Sequence, residues 1–341
     1  AAPAAARRAV ARMGDDLVVP TAANTAAHSP AFFQPDWARH REHLRFVRHF
    51  ATWGSSKILR FVLPTVLFLT AETAAIHAWA PATMSLPLTP FTLTSFAMAM
   101  LLVFRTNTSY ARWWEARILW GGTVNACRSL ARETICGLYK TSPTLCQRGL
   151  RLITAYVHVL AAHLQGLSDS YLRGVLEQKI EPAEVDAIMA SGHKPGAALC
   201  AMSHVIRKAQ ERGEIDNITH LYLAERLHNL TDTMGACERI LRTPMPLSVT
   251  RHTSRFMMLW LSGLPFALVP QLGAVAIPVM AVVSLLIVSI DEIGVNLEEP
   301  FRRLPLIDIA NVIEASVNGY NRETADMALV MEQAPAKTGA W

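Results

Sequence analysis

From Phe256 to Ile290 the chain carries no Asp, Glu, Lys, Arg or His, and from Phe61 to Phe104 it carries only Glu72 and His77. Charged residues are 17% of the 341 positions, so gaps of this length do not fit an even spread of charge. A transmembrane helix takes about 20 mainly apolar residues. The first gap therefore holds two helices with a turn between them. The second holds two helices near the lower limit of about 17 residues each, tightly joined. The spacing places the spans at 58–79, 90–105, 256–272 and 274–293. The competing assignment is four buried core helices of a large soluble bundle. Charge gathered at the outer ends of the spans, with none in the turns between them, favours the membrane.

The same distribution sets an orientation. Arg39, Arg41, Arg45, Arg48 and Lys57 before the first span, with Arg60 in its first turn, stand against only Asp36 and Glu42. Arg239, Arg242, Arg251 and Arg255 precede the third, and Arg302 and Arg303 follow the fourth. Basic residues favour the cytoplasm-equivalent side, so both termini and the long middle segment are expected there. The five cysteines all fall in that inner segment without a C-x-x-C pair, which fits free thiols in a reducing compartment.

Residues 1–35 are Ala-rich with early arginines and no acid before Asp15, which fits either the region beside an organellar transit peptide or an ordinary tail. Residues 36–57 are expected to form an interfacial helix with Trp37, Leu44 and Val47 toward lipid. Thr89 can cap the second span, with Pro90 at the first helical position. The prolines within the other spans read as kinks rather than ends. The middle segment, 106–255, reads as helical, with Leu221, Ala224, Leu227, Leu230 and Met234 at helical spacing. Thr243-Pro244-Met245-Pro246 breaks its last helix.

Enzyme chemistry is not encoded in any recognisable pattern. There is no phosphate-binding glycine loop and no nucleophile elbow. The twelve histidines show no metal-ligand spacing, so no zinc site, no other metal and no cofactor is expected. Nothing points to nucleic acid. Glu72 is the one acid well inside a span, and an intramembrane acid is a functional candidate by default. A hydrogen-bonded structural role is its alternative. Phe96, Met100 and Phe104 are spaced by four and project along one stripe about 80° wide on a helix. Repeated around a symmetric ring, the stripe would make stacked apolar collars that gate by dewetting. Plain lipid or core packing is the simpler account of the spacing taken alone.

Three motifs carry a family resemblance. The run Phe104-Arg105-Thr106-Asn107-Thr108-Ser109-Tyr110-Ala111-Arg112-Trp113-Trp114-Glu115-Ala116-Arg117 resembles the segment after the second span of the bestrophin family. Asp291-Glu292-Ile293-Gly294-Val295-Asn296-Leu297-Glu298-Glu299-Pro300-Phe301 resembles the segment after its fourth span. Thr243 to Leu247 followed by Thr250 to Arg255 is the third match. The variant is similar to the plant and algal branch, whose members serve the thylakoid membrane.

The resemblance implies an all-α membrane protein: four transmembrane helices per protomer plus a helical stromal region, assembled as a homopentamer around one central pore. It implies a neck at Phe96, Met100 and Phe104, the stripe that spacing alone picks out. It implies a second, inner aperture near Thr243 and Met245, with the inward residue left open. Arg105 at the mouth of the neck, with Arg251 and His252 deeper, would attract anions. A salt bridge within the protein is the alternative for Arg105. Animal members bind calcium through acids shortly after the Pro-Phe. Here Pro300-Phe301 is followed by Arg302-Arg303, and a hard cation needs six to eight oxygens, so no calcium dependence is expected.

The expected layout is a tail at 1–35, an interfacial helix at 36–57, two spans within 58–105, a stromal region at 106–255, two spans within 256–293 and a stromal end at 294–341. The implied function is a passive channel for chloride and other small monovalent anions, bicarbonate or nitrate among them, in a thylakoid membrane. A proton-coupled carrier using Glu72 and a non-conducting scaffold are the alternatives.

Overall fold

The computed structural model describes residue 37 and residues 40–43, 45–80 and 84–333, without side-chain detail for Ser55 and 325–333. The tail expected over 1–35 lies outside the described residues, as does Leu44. Eleven α-helices are described: α1 (Arg45–Ala51), α2 (Lys57–Trp79), α3 (Thr89–Leu138), α4 (Pro143–Gln165), α5 (Asp169–Glu177), α6 (Pro182–Ala190), α7 (Lys194–Glu211), α8 (Asn217–Arg242), α9 (Leu247–Leu272), α10 (Ala276–Glu298) and α11 (Leu306–Gln333). Among the described residues there is no strand. The chain divides into two compact units. One combines the described residues up to Ala116 with Ile240–Pro300, and the other combines Arg117–Arg239 with the residues from Phe301 onward.

The first unit is built on α2, which packs against α10 and α9. Its core joins Val62, Val66 and Leu69 of α2, Met98 and Leu102 of α3, Met257, Leu261 and Leu264 of α9, and Met280 and Val288 of α10. Three stretches here are long and apolar enough to cross a membrane: Lys57–Trp79, Thr89–Leu138 and Leu247–Glu298. In their most apolar windows only 22%, 17% and 22% is buried. A helix apolar on nearly every side yet mostly uncovered needs lipid or another subunit against it.

Several hydroxyls of these helices are satisfied within their own helix, as an apolar surround favours. Thr70 and Thr73 donate to the carbonyls of Val66 and Leu69 at 2.7 Å, and Ser284 donates to Met280 at 2.7 Å. Pro64, Pro265 and Pro270 lie inside α2 and α9 without ending them. Gly273 does end α9, at φ 57°, the left-handed backbone that glycine adopts freely.

Two expectations change, the cap of the second span and the helix over 36–57. The helix that holds the second span continues past Arg105: α3 runs to Leu138 as one 50-residue helix. Charge alone does not end a helix, and no Pro or Gly falls between Pro90 and Gly121. Leu88 rather than Thr89 takes the cap position, since its carbonyl accepts from the Phe91 and Thr92 amides at 3.0 and 3.1 Å. The segment 36–57 is also not one helix among its described residues: the seven-residue α1 is followed by a 3-10 turn at Trp53–Ser55. Phe46, Val47, Phe50 and Trp53 are exposed there.

The second unit is centred on α4. Leu152, Ile153, Ala155, Tyr156, Val157, Val159 and Leu160 are all buried, so this helix is covered on every side. It packs against α7 and α11. The Tyr156 hydroxyl donates to the Leu230 carbonyl at 3.2 Å, and burial pushes its pKa well up. Ser168 caps α5, and Glu181 with Glu184 forms a capping box on α6. The buried face of α8 is Leu223, Leu227, Leu230 and Met234, whereas Leu221 of the expected stripe is exposed.

Candidate functional site: an uncovered apolar stripe above an arginine-pinned linker

The first part of α3 has two contrasting faces. Met98, Leu102, Arg105 and Ser109 are buried at successive helical turns. On another face Phe96, Met100 and Phe104 are 73%, 38% and 62% exposed. The inward face is fixed by packing on α9: the Trp260 indole N–H donates to Thr94 Oγ1 at 3.0 Å, and the Phe91 and Trp260 rings meet edge to face at 5.9 Å. With that face buried, the expected neck residues are left as an exposed apolar row, Met100 the most covered of the three.

Arg105 does not point the way the sequence reading placed it. Its side chain is only 2% exposed and is ion-paired to Asp291 of α10, with Ser254 Oγ of α9 accepting from Nη1 at 3.4 Å. The salt bridge weighed as its alternative is the observed state. An internal partner neutralises the charge, so Arg105 is a structural pin between α3, α9 and α10 rather than a free anion attractor. Arg251 and His252 are different. Both are exposed near the start of α9, and neither forms an ion pair among the described residues.

The linker between α8 and α9 is held by one residue that sequence reasoning did not single out. Arg112 donates from Nη1 to the Thr243 carbonyl at 2.6 Å, from Nη2 to Ile240 at 2.7 Å and from Nε to Glu298 at 3.4 Å. Glu298 in turn accepts the Met245 amide at 3.2 Å. The guanidinium fork suits this task, because one planar group reaches several acceptors. Parts of all three sequence motifs thus meet at Arg112 and Glu298. Of the two expected aperture residues, Met245 is buried within its own chain and Thr243 is exposed. Met245 packs inside its own chain and anchors the linker, on which Thr243 stands exposed.

Glu72 lies inside α2 and is partly buried, with Oε2 enclosed and making no hydrogen bond. The second unit brings together one group of side chains of metal-ligand type. His163, His193 and Glu238 bring their ligand atoms within 4.8 Å of one another. They are separated by 30 and 45 residues in sequence, so no short spacing pattern could reveal them.

A family model for bacterial and fungal bestrophin proteins matches residues 36–319. The chain is 30% identical over 294 residues to the chloroplastic voltage-dependent chloride channel 1 of Arabidopsis thaliana, covering 82% of this chain and 70% of that one. It is 31% identical over 267 residues to a voltage-dependent anion channel-forming protein of Ralstonia nicotianae, covering 76% and 86%. The fold is that of a bacterial bestrophin homologue from Klebsiella pneumoniae, with a TM-score of 0.70 at 28% identity over 78% of this chain and 99% of that one. The three motifs, the fold they build and the reach of these matches together show that the chain belongs to the bestrophin family.

Proposed function

We propose that the chain is an anion channel and not an enzyme, working as a homopentamer with four spans per protomer and one central pore. The observation that carries this reading is the uncovered row of Phe96, Met100 and Phe104, turned away from the buried face of the same helix. Around a five-fold axis the row forms stacked apolar collars, and the positive edges of the Phe rings can face an anion. Thr243 forms a polar inner aperture, held in place through Arg112. Arg251 and His252 supply the positive field that Arg105 does not. The similarity to channels named for chloride and anions supports this assignment. Chloride, bicarbonate and nitrate are the proposed passengers, and the thylakoid membrane the proposed site, with both termini in the stroma. The lack of an acidic run after Phe301 supports opening without calcium.

Planar-bilayer recording of the purified protein under a chloride gradient tests this. Discrete anion-selective currents are expected, unchanged by calcium. Changing Phe96, Met100 and Phe104 together to Ala is expected to alter conductance or open probability. Intact oligomers that pass no current in either form would overturn the channel. The enclosed, unbonded Oε2 of Glu72 favours a second reading, a proton-coupled carrier. In that case Glu72→Gln abolishes a slow, saturable, proton-dependent flux, whereas a channel survives the change.

A further inference from the structure

His163 lies in the last turn of α4, His193 precedes α7 as its cap, and Glu238 lies near the end of α8. His193 Nε2 is 2.6 Å and His163 Nε2 is 2.9 Å from the same atom, Glu238 Oε1. The two imidazoles meet edge to face, with centroids 5.6 Å apart. A cavity of about 200 Å³ lined in part by His163, Gly166 and Gly192 adjoins them. His193 uses both ring nitrogens, one toward Glu238 and the other accepting the Gly196 amide at 3.1 Å. His163 does not: its Nε2 is buried, sits beside a carboxylate oxygen and makes no hydrogen bond.

We propose that His163, His193 and Glu238 form a binding site for a divalent transition metal of the zinc class. Two imidazole nitrogens and one carboxylate oxygen are a donor set that suits zinc, and a fourth, open position can take water from the adjoining cavity. The same set does not suit calcium or magnesium, which require more oxygens. Zinc bonds of about 2.0–2.2 Å set tetrahedral ligand atoms roughly 3.4 Å apart, so each nitrogen needs to retreat from the oxygen by less than about 1 Å. The nearby Lys194 ammonium is already paired with Asp169 at 3.1 Å, which limits its opposition to a cation. Binding has one internal consequence. The His193 proton moves from Nε2 to Nδ1, and the Gly196 cap is given up. The metal then ties α4, α7 and α8 together in place of a hydrogen bond.

The test uses the full-length oligomer in detergent with Zn²⁺ alone, by calorimetry, and Co²⁺ as a spectroscopic probe. One Zn²⁺ per chain and the intense visible bands of four-coordinate Co²⁺ are expected. His163→Asn and Glu238→Gln are each expected to weaken that equivalent on the order of 100-fold, since loss of a direct ligand exceeds the loss of an outer-shell partner. His193→Asn keeps a side chain able to cap α7 while removing the imidazole. It should therefore retain helix content and oligomer size but lose the metal. Uptake of no Zn²⁺ by the unaltered protein at tens of micromolar, or equal uptake by all three variants, would overturn the site. The Co²⁺ spectrum of the unaltered chain decides the matter even if a variant fails to fold. None of these readouts depends on ion conduction.

Discussion

Arg105 and Arg112 stand two helical turns apart on α3, and the protein itself occupies both charges. Arg105 faces Asp291 in a setting of low dielectric. Arg105→Met leaves that carboxylate without its partner and is expected to destabilise the protein by about 3–5 kcal/mol. The double change Arg105→Met with Asp291→Leu should recover most of the loss, which thermal unfolding in detergent can measure. A second ion group sits in the other unit. Burial alone would push the Glu314 carboxyl up, but hydrogen bonds and charges from His158 and Lys179 outweigh it and hold the pKa at about 2, below the usual 4.5. Because the folded value is the lower one, the stabilisation is complete above about pH 4.5 and is lost as pH falls toward 2. Lys179→Met should flatten the fall of melting temperature over that acid window while leaving its slope near neutral pH unchanged. Arg105, Arg112 and Glu298 were all legible as letters of a motif. Their roles were not, because the partners lie 53 to 186 residues away and only the fold brings them together.

At the scale of elements, the apolar gaps in the charge pattern located the membrane-length helices, since burial in lipid imposes a composition that a sequence displays directly. The end of the helix that holds the second span was not legible. The residues after Phe104 are polar but helix-compatible, so α3 passes from an apolar to a polar composition without changing conformation. Periodicity found the stripe of Phe96, Met100 and Phe104, yet it could not separate an exposed face from a packed one. That distinction rests on Met98 and Leu102 being buried instead. The junction of α3 with α9 depends on a close approach at Gly263, where an added Cβ would lie 3.2 Å from Cζ of Phe91. Gly263→Val is therefore expected to cost about 1–3 kcal/mol through overpacking, and Phe91→Leu in the same chain should restore most of it. A Gly263→Val protein with an unchanged melting temperature would show that the ring moves aside freely.

For the whole molecule, the five thiols report on topology. Cys136 and Cys200 are exposed, while Cys127, Cys146 and Cys237 are buried. Burial pushes the Cys127 thiol up to about 12 and the Cys146 thiol to about 11, which further quenches their reactivity. In sealed, oriented vesicles a membrane-impermeant maleimide should label two of the five, and only from the side proposed to be stromal. Labelling from the opposite side would reverse the proposed orientation. The Arg112 contacts take on a different meaning in a ring of five copies. Ile240 and Glu298 belong to the final turns of α8 and α10, whose aligned peptide units leave partial negative charge at those ends. Left bare beside Thr243, these helix ends would surround the proposed aperture with a cation-favouring potential. In the proposed ring, one guanidinium per protomer would offset it, so the side chain that holds the linker would also remove an electrostatic bias against anions.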